Sequence, residues 1–181
     1  MPVLPLVGPV TPHIIHPWSD ISMMNELQGN GAGVPSGGAV WPAANDAIFV
    51  PFCIFDETVT IARVWWYNGT AVAGNVDVGV YDTNGTKLFS SGAIAQAGTS
   101  APQSTDITDY VLGPGAYYMG ISCSSASATI FRSAGVDVQM ERLMGMFKMA
   151  SAHVLPATAT FAAVDAAYVP LFGLALNSVM T

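Results

Sequence analysis

Residues 75–89 read Asn75-Val76-Asp77-Val78-Gly79-Val80-Tyr81-Asp82, then Thr83-Asn84-Gly85-Thr86-Lys87-Leu88-Phe89. Successive side chains of a strand point to opposite faces, so Val76, Val78 and Val80 share one side, and Asp77, Gly79 and Tyr81 the other. Asn84-Gly85 supplies the φ > 0 pair that a tight hairpin favours. The chain then returns as a second strand through Lys87, Leu88 and Phe89. A hairpin with one apolar face needs a further sheet to cover it.

Outward from this hairpin the same signals recur. Ala47 to Phe55 is a continuous apolar run, as in a strand buried on both faces, and Pro51 places it at an edge or a bulge. Thr58 to Tyr67 is β-branched and aromatic, with a phase shift that puts a bulge near Ala62-Arg63. Asn68-Gly69 reads as a second turn of the Asn84-Gly85 kind. Gly92 to Ser104 is a loop of small residues, Thr105 to Leu112 is extended, and Gly113-Pro114-Gly115 is a turn. Ala116 to Cys123 places Tyr117, Met119, Ile121 and Cys123 on one face. Ala128 to Arg132 is a short strand, and Val169 to Leu176 is the last. Strands about 10 residues apart, with turns between, indicate a sandwich or barrel. Between Val138 and Met149, Met140, Leu143, Met144 and Phe147 make a helical stripe that Gly145 weakens, so a loop followed by a strand from Met146 to Ala152 is preferred. The expected fold class is all-β: an antiparallel jelly-roll or related β-sandwich over residues 46–181.

Residues 1–45 are different. Pro2, Pro5, Pro9, Pro12, Pro17, Pro35 and Pro42 each remove a backbone donor and fix φ, which disfavours regular sheet. Yet Leu4, Leu6, Ile14, Ile15, Trp18, Met23, Met24, Leu27 and Trp41 are apolar, unlike the composition of disordered linkers. An extended apolar arm that cannot fold on itself must lie on its own domain or on a neighbouring subunit. These nine residues are the expected assembly contacts.

Composition points the same way. Of the 181 residues, 51% are apolar and only 9% are Asp, Glu, Lys or Arg, against about a quarter charged in ordinary soluble domains. Large uncharged surfaces invite association. The net charge of −7 and the five scattered basic residues, Arg63, Lys87, Arg132, Arg142 and Lys148, argue against a nucleic-acid surface. Mean hydropathy is +0.46, but Pro156, Asp165, Pro170 and Gly173 interrupt the best spanning candidate, so no membrane insertion is expected. Residues 1–19 lack a basic n-region and do not read as a signal peptide. Synthesis in a reducing cytoplasm follows as an expectation. Cys53 and Cys123 then read as small buried hydrophobes, with an inter-sheet bridge as the alternative.

Thr58-Val59-Thr60-Ile61, Trp65-Trp66-Tyr67, Val78 through Thr86, Leu112-Gly113-Pro114-Gly115-Ala116-Tyr117-Tyr118 and Leu155-Pro156-Ala157-Thr158 together resemble the jelly-roll domains of tailed-phage virion proteins. These are tail, fibre and decoration subunits, similar to carbohydrate-binding modules. The resemblance covers residues 47–176, leaves the arm outside, and transfers no site residue. It implies a virion location, with copies of itself and other virion proteins as partners. It also implies that Trp65, Trp66, Tyr67, Tyr81 and Tyr110 would form a stacking platform for a surface glycan. Core or interface packing is the ordinary alternative for such aromatics.

Other constellations are thinner. Asp82-Thr83-Asn84-Gly85 and Asp106-Ile107-Thr108-Asp109 offer oxygens to a cation, but a calcium site needs six to eight, and turn chemistry explains them as well. His13, His16 and His153 would need converging cysteines to hold zinc, and no paired-cysteine motif is present. There is no nucleophile elbow and no phosphate loop, and Asp56-Glu57 would point to opposite faces. Neither an enzyme activity nor a cofactor or metal is expected. Asn68-Gly69-Thr70 and Asn84-Gly85-Thr86 match the glycosylation pattern, yet read as turns. The expected function is that of a structural virion subunit that homo-oligomerises, with a glycan-binding module as the alternative.

Overall fold

The computed structural model describes residues 14–15, 35–54, 58–133 and 137–176. In chain order its strands begin with β1 (Ile14–Ile15), β2 (Pro35–Val40), β3 (Ala47–Ile54), β4 (Val59–Tyr67) and β5 (Asn75–Asp82). They continue with β6 (Lys87–Ser90), β7 (Ile94–Ala95), β8 (Pro102–Leu112), β9 (Gly115–Cys123) and β10 (Thr129–Ser133). Among the described residues one helix, α1 (Val138–Leu143), precedes β11 (Phe147–Met149), β12 (Ala162–Ala163), β13 (Val169–Pro170) and β14 (Phe172–Leu176).

The fold is all-β and antiparallel. The largest sheet runs β12-β11-β3-β9-β5-β6, with β7 also on β5; a second runs β1-β14-β4-β8; a third, small one runs β13-β10-β2. Val76, Val78 and Val80 of β5 and Met119, Ile121 and Cys123 of β9 face inward, against Ile61, Val64 and Trp66 of β4 and Phe172 and Leu174 of β14. The alternation read in residues 75–82 therefore does mark the core face. The bulge near Ala62-Arg63 is present as a register shift between Ile61 and Arg63. Pro51 lies on the stretch of β3 beyond the ladder to β11, which ends at Phe49, so its missing N–H faces no β11 residue.

Several expectations need correction. The side of β5 opposite its valines, where Tyr81 was expected to join an aromatic platform, is covered: Asp77 and Tyr81 are fully buried. Residues 152–161 fold back over it, and Ala152, Leu155 and Ala159 form a second core with Ala47, Phe49 and Tyr81. Phe49 and Tyr81 meet edge-on at 5.2 Å. The helical alternative is present but covers only Val138–Leu143, capped by Asp137, whose carboxylate accepts from Met140 N–H; the strand preferred over Met146 to Ala152 is present as the shorter β11. Gly145 then takes φ +75° and turns the chain into β11. The Gly113-Pro114-Gly115 turn joins β8 of one sheet to β9 of another.

The two Asn-Gly dipeptides also differ from the reading. At the first, only Gly85 has positive φ, 81°, and the Asp82 carboxylate accepts from Asn84 and Thr86 N–H. The hairpin closes with a register shift at Val80/Tyr81, a bulged turn in place of a primed one. The second is no hairpin at all. Asn68 is buried and bridges to Ile130, and a Cβ on Gly69 would sit 2.6 Å from Gly38 Cα. Close backbone approach is the reason for that glycine.

Of the arm residues, Leu4, Leu6, Trp18, Met23, Met24 and Leu27 lie outside the described residues, as do His13 and His16. Ile14 and Ile15 form β1, paired with Ala175 and Leu174 of β14. Trp41 is 1% exposed and packs edge-on against Tyr168 at 5.3 Å. It is a core residue of this chain, where an assembly contact was expected. Despite its proline, Pro35–Val40 is laddered to β10, so the sandwich takes in residues ahead of position 46.

Candidate functional site

Two places concentrate polar side chains. The first is a cleft of about 450 Å³ between β6 and β8, the last strands of the two larger sheets. It exists because β8 carries extra residues there. Ile61 faces Tyr110 and Arg63 faces Asp106, so Ala62 alone stands opposite Ile107, Thr108 and Asp109. Such bulges re-aim side chains at sheet edges. The Phe89 and Tyr110 rings pack at 4.9 Å as part of the lining. Ser90, Ser91 and Thr108 add hydroxyls, and Asp106 and Asp109 add carboxylates. Asp106 is paired with Arg63 at 3.1 Å. The volume lies in the range of small-molecule sites, and the groups suit a ligand with both apolar faces and hydroxyl or ammonium donors.

The second is a buried cluster on the outer face of the largest sheet. Asp77 and Ser122 are register partners on β5 and β9. Ser122 Oγ lies 3.0 Å from His153 Nδ1. Asp77 accepts from Leu155 N–H at 3.0 Å and has Ser91 Oγ at 3.1 Å. Burial raises the Asp77 pKa, partly offset by the Leu155 amide, and burial lowers that of His153. Tyr81 donates to Pro156 O at 2.7 Å, and burial pushes its hydroxyl pKa up. Lys87 Nζ donates to Leu155 O at 2.7 Å. Serine, histidine and aspartate meet here, but Ser122 is fully buried and the Asp77 oxygens face Leu155 and Ser91. These contacts fasten residues 153–156 to the sheet. Nothing local in the sequence marks it, because the partners in these contacts lie 14 to 78 positions apart in the chain.

The five aromatics expected to share a platform are dispersed. Trp66 and Tyr81 are fully buried, in different sheets. Tyr67 packs on Phe131 at 4.6 Å and donates to Ser100 O, while Trp65 sits between Gly173 and Ser104 in the ladder. Tyr110 alone lines the cleft. Asp82 is used within its turn. Cys53 is exposed, where burial was expected, and Cys123 is buried; both are free. Among the described residues, no three His, Cys, Asp or Glu side chains converge as for a metal, and no helix is long and apolar enough to cross a membrane.

All five basic side chains are engaged within the chain. Arg63 pairs with Asp106 and Lys148 with Asp165. Lys87, Arg132 and Arg142 donate to the carbonyls of Leu155, Ala167 and Val164.

No family model matches the chain, and neither a curated protein nor a solved structure matches it.

Proposed function

We propose that the chain is a structural subunit of a homo-oligomeric particle, a tailed-phage virion protein as its sequence resemblance implies. In this reading the sandwich has jelly-roll ancestry and residues 1–34 act as the arm. The observation that carries the reading is β1: Ile14–Ile15 adds a strand to the outer edge of β14. Strand addition at a sheet edge couples chains through main-chain hydrogen bonds without needing charge. The nineteen residues between Ile15 and Pro35 reach up to about 65 Å when extended, far enough for the strand to be lent to a neighbour.

The test is the double substitution Ile14→Pro, Ile15→Pro in the full chain, which removes the N–H that faces β14 whichever residue carries it. With the far-ultraviolet spectrum unchanged, the association constant from concentration-dependent sedimentation falls at least tenfold. An unchanged constant would refute the role of β1.

A second reading, glycan binding, is favoured by the Phe89–Tyr110 cleft. It predicts that a saccharide array gives a signal that Tyr110→Ala abolishes and Trp65→Ala leaves intact. Silence across the array removes it.

A further inference from the structure

Glu141 is fully buried in the six-residue helix α1. No hydrogen bond of normal geometry reaches either carboxylate oxygen. A buried carboxylate so weakly compensated is costly, and the usual outcome is that it stays protonated. The charged and titratable groups acting on it come from three elements. Arg132 on β10 and the Tyr168 backbone amide favour its ionised form, and Asp137 at the helix start opposes it. Arg132 does not pair with it. Its Nη1 donates to Ala167 O at 2.6 Å, and its guanidinium stands 5.5 Å above the Tyr168 ring. Its Nε is buried without a partner.

The helix that carries this acid is lightly held. Arg142 Nε donates to Val164 O at 2.9 Å, Val138 and Met144 pack against the core, and Leu143 is 80% exposed. Opening α1 gives up few contacts, so it is within reach of a single ionisation.

We propose that Glu141 is a proton-operated latch: protonated, it stays buried and holds α1 on the sandwich; ionised, it favours release of α1. The latch does not depend on the assembly reading. Burial raises its pKa to about 7, which puts the switch near neutrality. Its position links it to the start of the sandwich. Tyr168, beneath Arg132, has its hydroxyl 2.8 Å from both Ala39 O and Ile130 O, where β2 meets β10.

The sign follows from linkage. A carboxyl with a raised pKa binds its proton better when closed, so closure is favoured at low pH and weakens as pH rises. Hydrogen exchange of the full chain, followed by mass spectrometry from pH 4.5 to 8, reads this directly. Protection factors of residues 138–146 fall by up to about 300-fold between pH 4.5 and about 7, then level off. In Glu141→Gln the helix protection is flat with pH. Equal pH dependence in wild type and E141Q would overturn the latch. Should E141Q not fold, the carboxyl titration of Glu141 by ¹³C NMR in the wild-type chain decides. A midpoint near 7 supports the latch, and one near the ordinary 4.5 removes it.

Discussion

The Trp66 indole N–H donates to Asn68 Oδ1 at 2.8 Å, and both side chains are fully buried. The Asn68 amide continues to Ala97 O at 2.6 Å and to Gln103 Oε1 at 3.0 Å. The end of β4 is thereby tied to the segment that leads into β8. Because each group is removed from water, a missing partner leaves a desolvated polar atom. Asn68→Ala is expected to lower the unfolding free energy by about 3 kcal/mol, and Trp66→Ala by about 4 kcal/mol. Urea midpoints check this, and an effect below 1 kcal/mol for Asn68→Ala would contradict the hub.

Gly69 is predicted to resist any side chain. Its Cβ would meet the Gly38 backbone and Thr129, pushing β2 away from the turn after β4. Gly69→Ala therefore costs about 2–3 kcal/mol by overpacking, and thermal unfolding reads it. Gly92→Ala probes the other case, since a Cβ there meets nothing within 4 Å and the cost comes only from its φ of +71°. It should cost less than Gly69→Ala.

Two buried acids and one histidine oppose each other in pH. His153, lowered by burial, is neutral in the fold. Its contribution is present above its ordinary 6.5 and is lost as pH falls through that range. Glu141 runs the other way, removing up to about 3 kcal/mol as pH rises from 4.5 to about 7, and Asp77 shares that direction. At matched pH, His153→Gln should therefore differ least from wild type in acid. Relative to wild type it loses stability as pH rises from 5 to 7. A constant difference over that range would show that His153 does not titrate against the fold.

Much of the sandwich was legible because it depends on near neighbours. The 76-78-80 alternation, the bulge at 62–63 and the final strand are local patterns of β-branched residues. What the sequence could not show depends on distant partners. Asn68-Gly69 and Asn84-Gly85 are the same dipeptide, but Asn68 is claimed by Trp66, Ala97 and Gln103, whereas Asp82 sets the other turn locally. Nothing near Tyr81 and Asp77 in the sequence shows that their side of β5 is covered, because the segment that covers them lies some 75 residues later. The cleft required two sheet edges to meet, which the Asp106-Ile107-Thr108-Asp109 stretch hints at only as an interrupted strand. Trp41 read as arm because its prolines and glycines did, while its ring had a place beside Tyr168.

The central claim is assembly, and the mass of the full chain in solution tests it most directly. Light scattering across a hundredfold range of concentration should give a closed oligomer or larger particle at several times 18.8 kDa. A monomer of 18.8 kDa at every concentration would contradict it.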